Sequence, residues 1–217
     1  VPHVVARNIQ DRATLDGLLS RLTGEAGVDR GLVVGGDRDH PAGMYRSSLD
    51  LTQTGALQAH GLKSIFIGCY PEGRPQISDA VLEEARAAKI EAAREAGLHV
   101  VLVSPFCFEA SPVIALAERM RGQGVTGPLR VGVAGPANRA LLMKYALICG
   151  VGNSIRVLKD RGEPAKSMLG GETPEALALQ IEAAQARSPA LGFNGVHVSP
   201  CKTPSTTMAN PVRVESQ

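Results

Sequence analysis

Ser64-Ile65-Phe66-Ile67-Gly68-Cys69-Tyr70, then the turn Pro71-Glu72-Gly73-Arg74-Pro75, then an Ala-, Glu- and Arg-rich stretch over 79–96, then Leu98 to Ser104: this run decides the fold. A short, almost wholly apolar and β-branched segment predicts a strand of a parallel sheet covered on its outer face. The proline- and glycine-bearing turn ends it, and the next stretch has helical composition and spacing. A second apolar strand follows. Strand, helix, strand in this order is the unit from which parallel sheets are built.

The same alternation extends in both directions. Toward the amino terminus lie Gly31-Leu32-Val33-Val34-Gly35-Gly36-Asp37, a polar loop and a helix near 50–60. Before that lie His3-Val4-Val5-Ala6-Arg7-Asn8 and a helix near 11–26, in which Leu15, Leu18, Leu19 and Leu22 share one face. Toward the carboxyl terminus come a helix near 111–123, a strand from Leu129 to Ala134, a helix near 138–149, a helical pair near 151–160 and 173–187, and a strand over Gly195-Val196-His197-Val198-Ser199. The tail over 204–217 has no periodicity and reads as an irregular end. The whole of 1–217 reads as one domain. Pattern alone leaves open two architectures: a six-stranded doubly wound sheet, and a larger barrel whose first units precede Val1.

Composition narrows the function classes. Of 217 residues, 44% are hydrophobic and 20% charged, enough for a core and without the signature of disorder. Lys and Arg (23) nearly balance Asp and Glu (21), which argues against a nucleic-acid or anionic-membrane partner. No apolar run is long enough to predict a spanning helix. Cys69, Cys107, Cys149 and Cys201 are far apart with no Cys-x-x-Cys pair, so neither zinc nor a disulfide framework is expected. Reduced core cysteine and a cytoplasmic location are the expectation. His40, His60, His99 and His197 show no metal-ligand spacing, and no Ser/His/Asp constellation is apparent. Neither standard phosphate-binding glycine loop occurs.

Parallel α/β folds bind ligands where strands end and loops begin. Polar groups gather there. Gly35-Gly36-Asp37 could admit a ligand close to the backbone and offer a carboxylate, or could simply turn the chain. In the loop after the next strand, Tyr70 and Arg74 could stack on and pair with a flat anionic ligand, or Arg74 could be solvated. Glu83, Arg86 and Lys89 lie along one side of the following helix, a solvated ion-pair face or a ligand contact. Ser104-Pro105-Phe106, Gly132 to Asn138 and Ser199 to Lys202 end three more strands.

The order Pro2-His3, Gly36-Asp37, Met44-Tyr45, Tyr70-Pro71-Glu72-Gly73-Arg74-Pro75 resembles the methylenetetrahydrofolate reductase family, in which a Tyr-Pro-Glu-x-His-Pro loop is the most specific element. The resemblance continues through Ala96-Gly97, Pro105-Phe106, Gly132, Lys144-Tyr145-Ala146 and Gly195-Val196-His197, nearly the whole chain. It implies a (β/α)8 TIM-type barrel whose third to eighth strands are the six counted here, the first two lying before Val1. It implies FAD as cofactor, a folate substrate, and NAD(P)H-linked reduction of 5,10-methylenetetrahydrofolate to 5-methyltetrahydrofolate. Two alternatives accompany it: an enzyme that dispenses with NAD(P)H or runs in the methyl-oxidising direction, and a flavin- or folate-binding module without turnover. Self-association into a homo-oligomer is compatible with all three.

Residue by residue, the resemblance puts Asp37 beside the flavin ring and folate, as catalytic residue and as contact to both. Gly35, Gly36, Arg46, Ser47, Tyr70 and Arg74 fall in flavin-contacting loops, and Glu83, Arg86 and Lys89 on the helix that holds the adenosine diphosphate part. Pro105, Tyr145 and Lys202 fall at the folate site. The departures are specific. Gly35 stands where the family has Arg, Arg74 where it has His, Tyr145 where it has Phe, and Pro105 and Leu141 where it has folate-binding Gln. The acid that assists folate protonation belongs to the first strand, before Val1.

Overall fold

Each of the six apolar runs contains a strand in the computed structural model, which describes residues 1–74, 77–135 and 174–199. The strands are β1 His3–Val5, β2 Arg30–Val34, β3 Ser64–Gly68, β4 His99–Phe106, β5 Leu129–Ala134 and β6 Phe193–Ser199. The helices are α1 Arg12–Ser20, α2 Ser48–Gln53, α3 Ala56–Ala59, α4 Asp79–Glu95, α5 Ala110–Gly122 and α6 Pro174–Arg187. The expected helices near 138–149 and 151–160 and the tail over 204–217 lie outside the described residues.

Local chemistry sets the boundaries. Asp11 caps α1, its carboxylate accepting from Thr14 N at 2.8 Å, and Ser78 caps α4 by accepting from Val81 N at 3.4 Å. The helix expected near 11–26 is continued by a π-helical turn over Arg21–Glu25. The one expected near 50–60 is two short helices, because the chain breaks at Thr54-Gly55. The strand expected to run to Asp37 stops at Val34, and β4 runs two residues past Ser104.

All neighbouring strands pair in parallel, in the order β1-β2-β3-β4-β5-β6. A doubly wound sheet reverses its strand order at a switch point, and no reversal occurs here. Crossovers of one hand running in one direction put their helices on one face. The core confirms it. Val4, Val33, Ile65, Ile67, Leu102 and Leu129 join one buried cluster with Leu15, Leu19, Leu57, Ala93, Leu116 and Met120 of the helices. The alternate residues Leu32, Phe66 and Val103, with Val34 and Val101, form a separate cluster on the opposite, inner face. The charge of His197 on the last strand lowers the pKa of His3 on the first, although four strands lie between them in the sheet order.

One side chain ties two loops to the end of α5 beneath β5 and β6. Arg121, in the last turn of α5, donates from Nε to Leu191 O at 3.0 Å and from Nη2 to Leu191 O at 2.7 Å and Gly127 O at 2.9 Å. Its Nη1 donates to Val125 O. A guanidinium has the fork needed to reach several carbonyls at once, and an ammonium does not. Arg121→Ala should therefore lower unfolding stability by about 2 kcal/mol, the scale of a charge-assisted hydrogen bond lost from a partly buried site, with Arg121→Lys recovering little of it. Urea denaturation of the three proteins checks this; equal midpoints would remove Arg121 as a staple.

Candidate functional site

Because all six strands are parallel, their carboxyl ends share one rim. Adjacent β2, β3 and β4 bring three of the sequence-derived groups there: Gly35-Gly36-Asp37 after Val34, Cys69 to Arg74 after Gly68, and Ser104-Pro105-Phe106 closing β4. Pro75, Leu141, Tyr145 and Lys202 lie outside the described residues.

The glycines of the first group have different duties. Gly36 has φ +98°, and a Cβ on it would lie 2.5 Å from Val5 Cγ1, so a glycine is needed to seat the loop on β1. At Gly35 an added Cβ would meet nothing within 4 Å, which leaves open space beside the Asp37 turn. Asp37 itself is exposed.

Tyr70 and Arg74, read from the sequence as groups that could stack on and pair with a ligand, are paired with each other. The Arg74 guanidinium carbon lies 5.2 Å from the centre of the Tyr70 ring. The turn is closed by Gly73 N donating to Tyr70 O at 3.1 Å, and Arg74 bridges to Ile77. Ring and cation thus stand ready as one surface, with an attraction of about 0.5–1 kcal/mol at a site this open.

Ser47 is committed to the backbone. It is the N-cap of α2 in a capping box: its Oγ accepts from Asp50 N at 3.3 Å, while Asp50 Oδ2 accepts from Ser47 N at 3.0 Å and Arg46 N at 2.6 Å. The serine three residues before an aspartate at a helix start is the signal that could have found this. The Arg46 side chain remains exposed.

Glu83 and Arg86 turn toward α5 rather than forming a solvated row. Arg86 is only 7% exposed; its Nη2 donates to Gln123 Oε1 at 2.7 Å, and Gln123 Nε2 donates to Glu83 Oε2 at 3.0 Å. Arg119 approaches Glu83 at 4.0 Å. Arg86 Nε has no protein partner, and a cavity of about 20 Å³, roughly one water in size, lies among Gly68, Cys69, Tyr70, Glu83, Arg86 and Arg119. A larger ligand would reach Arg86 only by opening this pocket. Lys89 is partly buried, and that burial lowers its pKa.

Cys69 and Cys107 are buried free thiols. Burial pushes Cys69 up to about 12, which leaves it protonated and unreactive. Among the described residues no group of three or more His, Cys, Asp or Glu is placed to hold a metal ion, and no helix is long and apolar enough to cross a membrane.

Two constellations went unread in the sequence. On the inner face, Arg130 of β5 stacks over the Phe66 ring at 5.4 Å, and its buried Nε has no protein partner. His3 and His197 stand within electrostatic reach of one another, and His197 also senses Arg130. Leu129 and Val131 face the helices, so strict alternation along β5 would have sent Arg130 inward. Elsewhere Asp16, His60 and Ser20 form a line: His60 Nε2 lies 2.9 Å from Asp16 Oδ1, and Nδ1 lies 3.3 Å from Ser20 Oγ. Arg12 Nε shares the same carboxylate at 2.9 Å. Ser20 belongs to a helix whose amides bond within the helix, so the line has no oxyanion donors and acts as a surface clamp between α1 and the end of α3.

No protein-family model matches the chain.

The inner-face histidines give a pH test. Partial desolvation lowers the pKa of His3, and the charge of His197 lowers it further. Desolvation lowers His197 too, and the charge of Arg130 adds to it. Both folded values lie below the ordinary 6.5, so in mild acid the unfolded chain binds more protons than the native one. Stability should be full above about pH 6.5 and decline as pH falls below it, and replacing both residues (H3Q with H197Q) should flatten that decline. Urea midpoints at about pH 7.5 and about pH 5.5 decide the matter; parallel losses in both proteins would exclude the histidines as its source.

Proposed function

We propose that this chain is a flavin-dependent oxidoreductase of the methylenetetrahydrofolate reductase type, built on six strands of a (β/α)8 barrel. The observation that carries the reading is the assembly of Gly35-Gly36-Asp37, the Tyr70–Arg74 pair and Pro105 on one rim of an all-parallel sheet with no order reversal. Consecutive order and helices on one face are what a barrel segment requires.

FAD, when bound, would supply hydride transfer at its ring, and the protein's part is to hold, orient and polarise. The residues present suit such a group. Gly35 leaves space beside the Asp37 turn, the Tyr70 ring offers a flat apolar surface, and Arg74 offers a cation for ribityl or phosphate oxygens. Asp37 would place a negative charge near the flavin and folate and set their electronics. The backbone of Arg46 joins the Asp50 cap, but its side chain is exposed and is better placed than that of Ser47 to meet a ligand. Glu83 and Arg86 would meet the adenosine diphosphate end only if the one-water pocket beside Tyr70 opened, because Arg86 is buried against Gln123. NAD(P)H would serve as electron donor.

A folate- or flavin-binding module without turnover is the second reading. Pro105 favours it, because a proline at the strand end offers no side-chain hydrogen bond to a pterin.

The visible spectrum of the full-length protein, then titration with NADH and with methylenetetrahydrofolate, separates the readings. A flavin spectrum bleached by NADH and restored by the folate is the expected outcome. Bound flavin that neither reagent alters would support the binding module, and a colourless protein that takes up no added FAD would sink both. Asp37→Asn should lower turnover on the order of a hundredfold while flavin occupancy holds. Arg74→Ala should weaken FAD retention by roughly tenfold, read as occupancy after gel filtration. Unchanged turnover in the first variant, or unchanged occupancy in the second, would remove that residue from the site.

A further inference from the structure

We infer that Arg7 is the positioning residue of the Asp37 loop. It lies in the 3-10 turn Ala6–Asn8 that follows β1 and carries no candidate site residue itself. Its backbone N–H donates to Gly35 O at 2.9 Å, its Nη1 to Arg38 O at 2.7 Å and its Nε to Arg46 O at 3.0 Å. Its own carbonyl accepts from Ala42 N at 2.9 Å. One residue therefore holds the loop after β2 at four points spaced along it, and two of them, Gly35 and Arg38, bracket Asp37.

The neighbouring backbone completes the seam. Met44 N donates to Gln10 O at 3.3 Å, and at Gly43 an added Cβ would lie 1.7 Å from that oxygen. Main chain rests on main chain there, and Tyr45 anchors the far end of the loop in the core; the stretch around Asp37, between these fixed points, depends on the bonds that Arg7 makes. Among the described residues no carboxylate lies within ion-pair distance of Arg7, so its fork is directed wholly at carbonyls. The Nε–H and Nη1–H of a guanidinium diverge in a fixed plane and span two carbonyls eight residues apart, whereas an ammonium on a flexible stem reaches one. Arg7 acts on chemistry only through Asp37, and the inference rests on the function proposed above for that carboxylate.

Two measurements on the full-length protein test it, with Arg7→Ala and, should that variant fold poorly, Arg7→Lys. Hydrogen exchange is the first. The amides of residues 36–46 should lose protection in either variant while those of β2 to β4 keep theirs; unchanged exchange in the loop, or loss spread equally through the strands, would overturn the assignment. The second is a double-mutant cycle with Asp37→Asn, read as kcat and KM for methylenetetrahydrofolate. Misplacing a reacting group by about 1 Å costs on the order of a hundredfold, so Arg7→Ala should lower kcat ten- to a hundredfold with KM little changed. The same substitution should cost almost nothing further once Asp37 is Asn. Equal losses in both backgrounds would show that Arg7 does not act through Asp37 and would overturn the inference. Loop loosening in the Arg7 variants, together with a wild-type protein that turns over no folate, would refute the proposed reaction alone and would uphold Arg7 as the residue that holds the loop.

Discussion

Parallel pairing between consecutive strands is the constraint on which the rest of the molecule depends. A parallel neighbour demands a crossover, and crossovers of one hand proceeding in one direction leave their helices on a single face. Two consequences follow without further instruction from the sequence. The residues of each strand sort alternately toward the helices and toward an inner face, as Val33 and Leu32 do on β2. And each strand delivers its carboxyl end to the same rim, so that loops thirty or more residues apart in sequence become neighbours.

With only three tyrosines, four phenylalanines and no tryptophan, the chain relies on arginine to organise what rings would otherwise cover. Arg121 gathers three carbonyls from two loops, Arg7 holds the loop after β2, Arg74 lies on Tyr70 and Arg130 on Phe66. The planar fork suits these tasks because it satisfies carbonyl oxygens that a sharp turn leaves without backbone partners. Arg86 is the exception. Buried between α4 and α5 with one nitrogen unpartnered, it is costly to desolvate, and its link through Gln123 to Glu83 offsets only part of that cost.

The apolar runs were readable because alternation of strand and helix is a local property: Ser64 to Gly68 is a strand and Asp79 to Glu95 a helix on the strength of their own residues. Boundaries were less so. The Gly35-Gly36-Asp37 stretch left the strand because the loop is drawn onto Val5 and Arg7, residues that no local window contains. Site residues followed the same division. That Asp37, Tyr70 and Pro105 would lie at strand ends was legible; that Tyr70 and Arg74 would pair, that Ser47 would be occupied by Asp50, and that Arg86 would turn inward was not. Arg7, Arg130 and the His3–His197 pair escaped because their partners are supplied by other elements.

By itself, then, the sequence determined the element types, their βα order, the parallel sheet and the loops on which chemistry would sit, since these depend on side-chain periodicity and turn residues within a few positions of each other. Tertiary structure alone decided the strand order without reversal, which face each helix covers, and which polar groups meet. Those outcomes depend on contacts such as Arg7 with Arg46 or Gly35 with Arg7, whose energies exist only after the intervening chain has closed, and whose partners no local pattern can name.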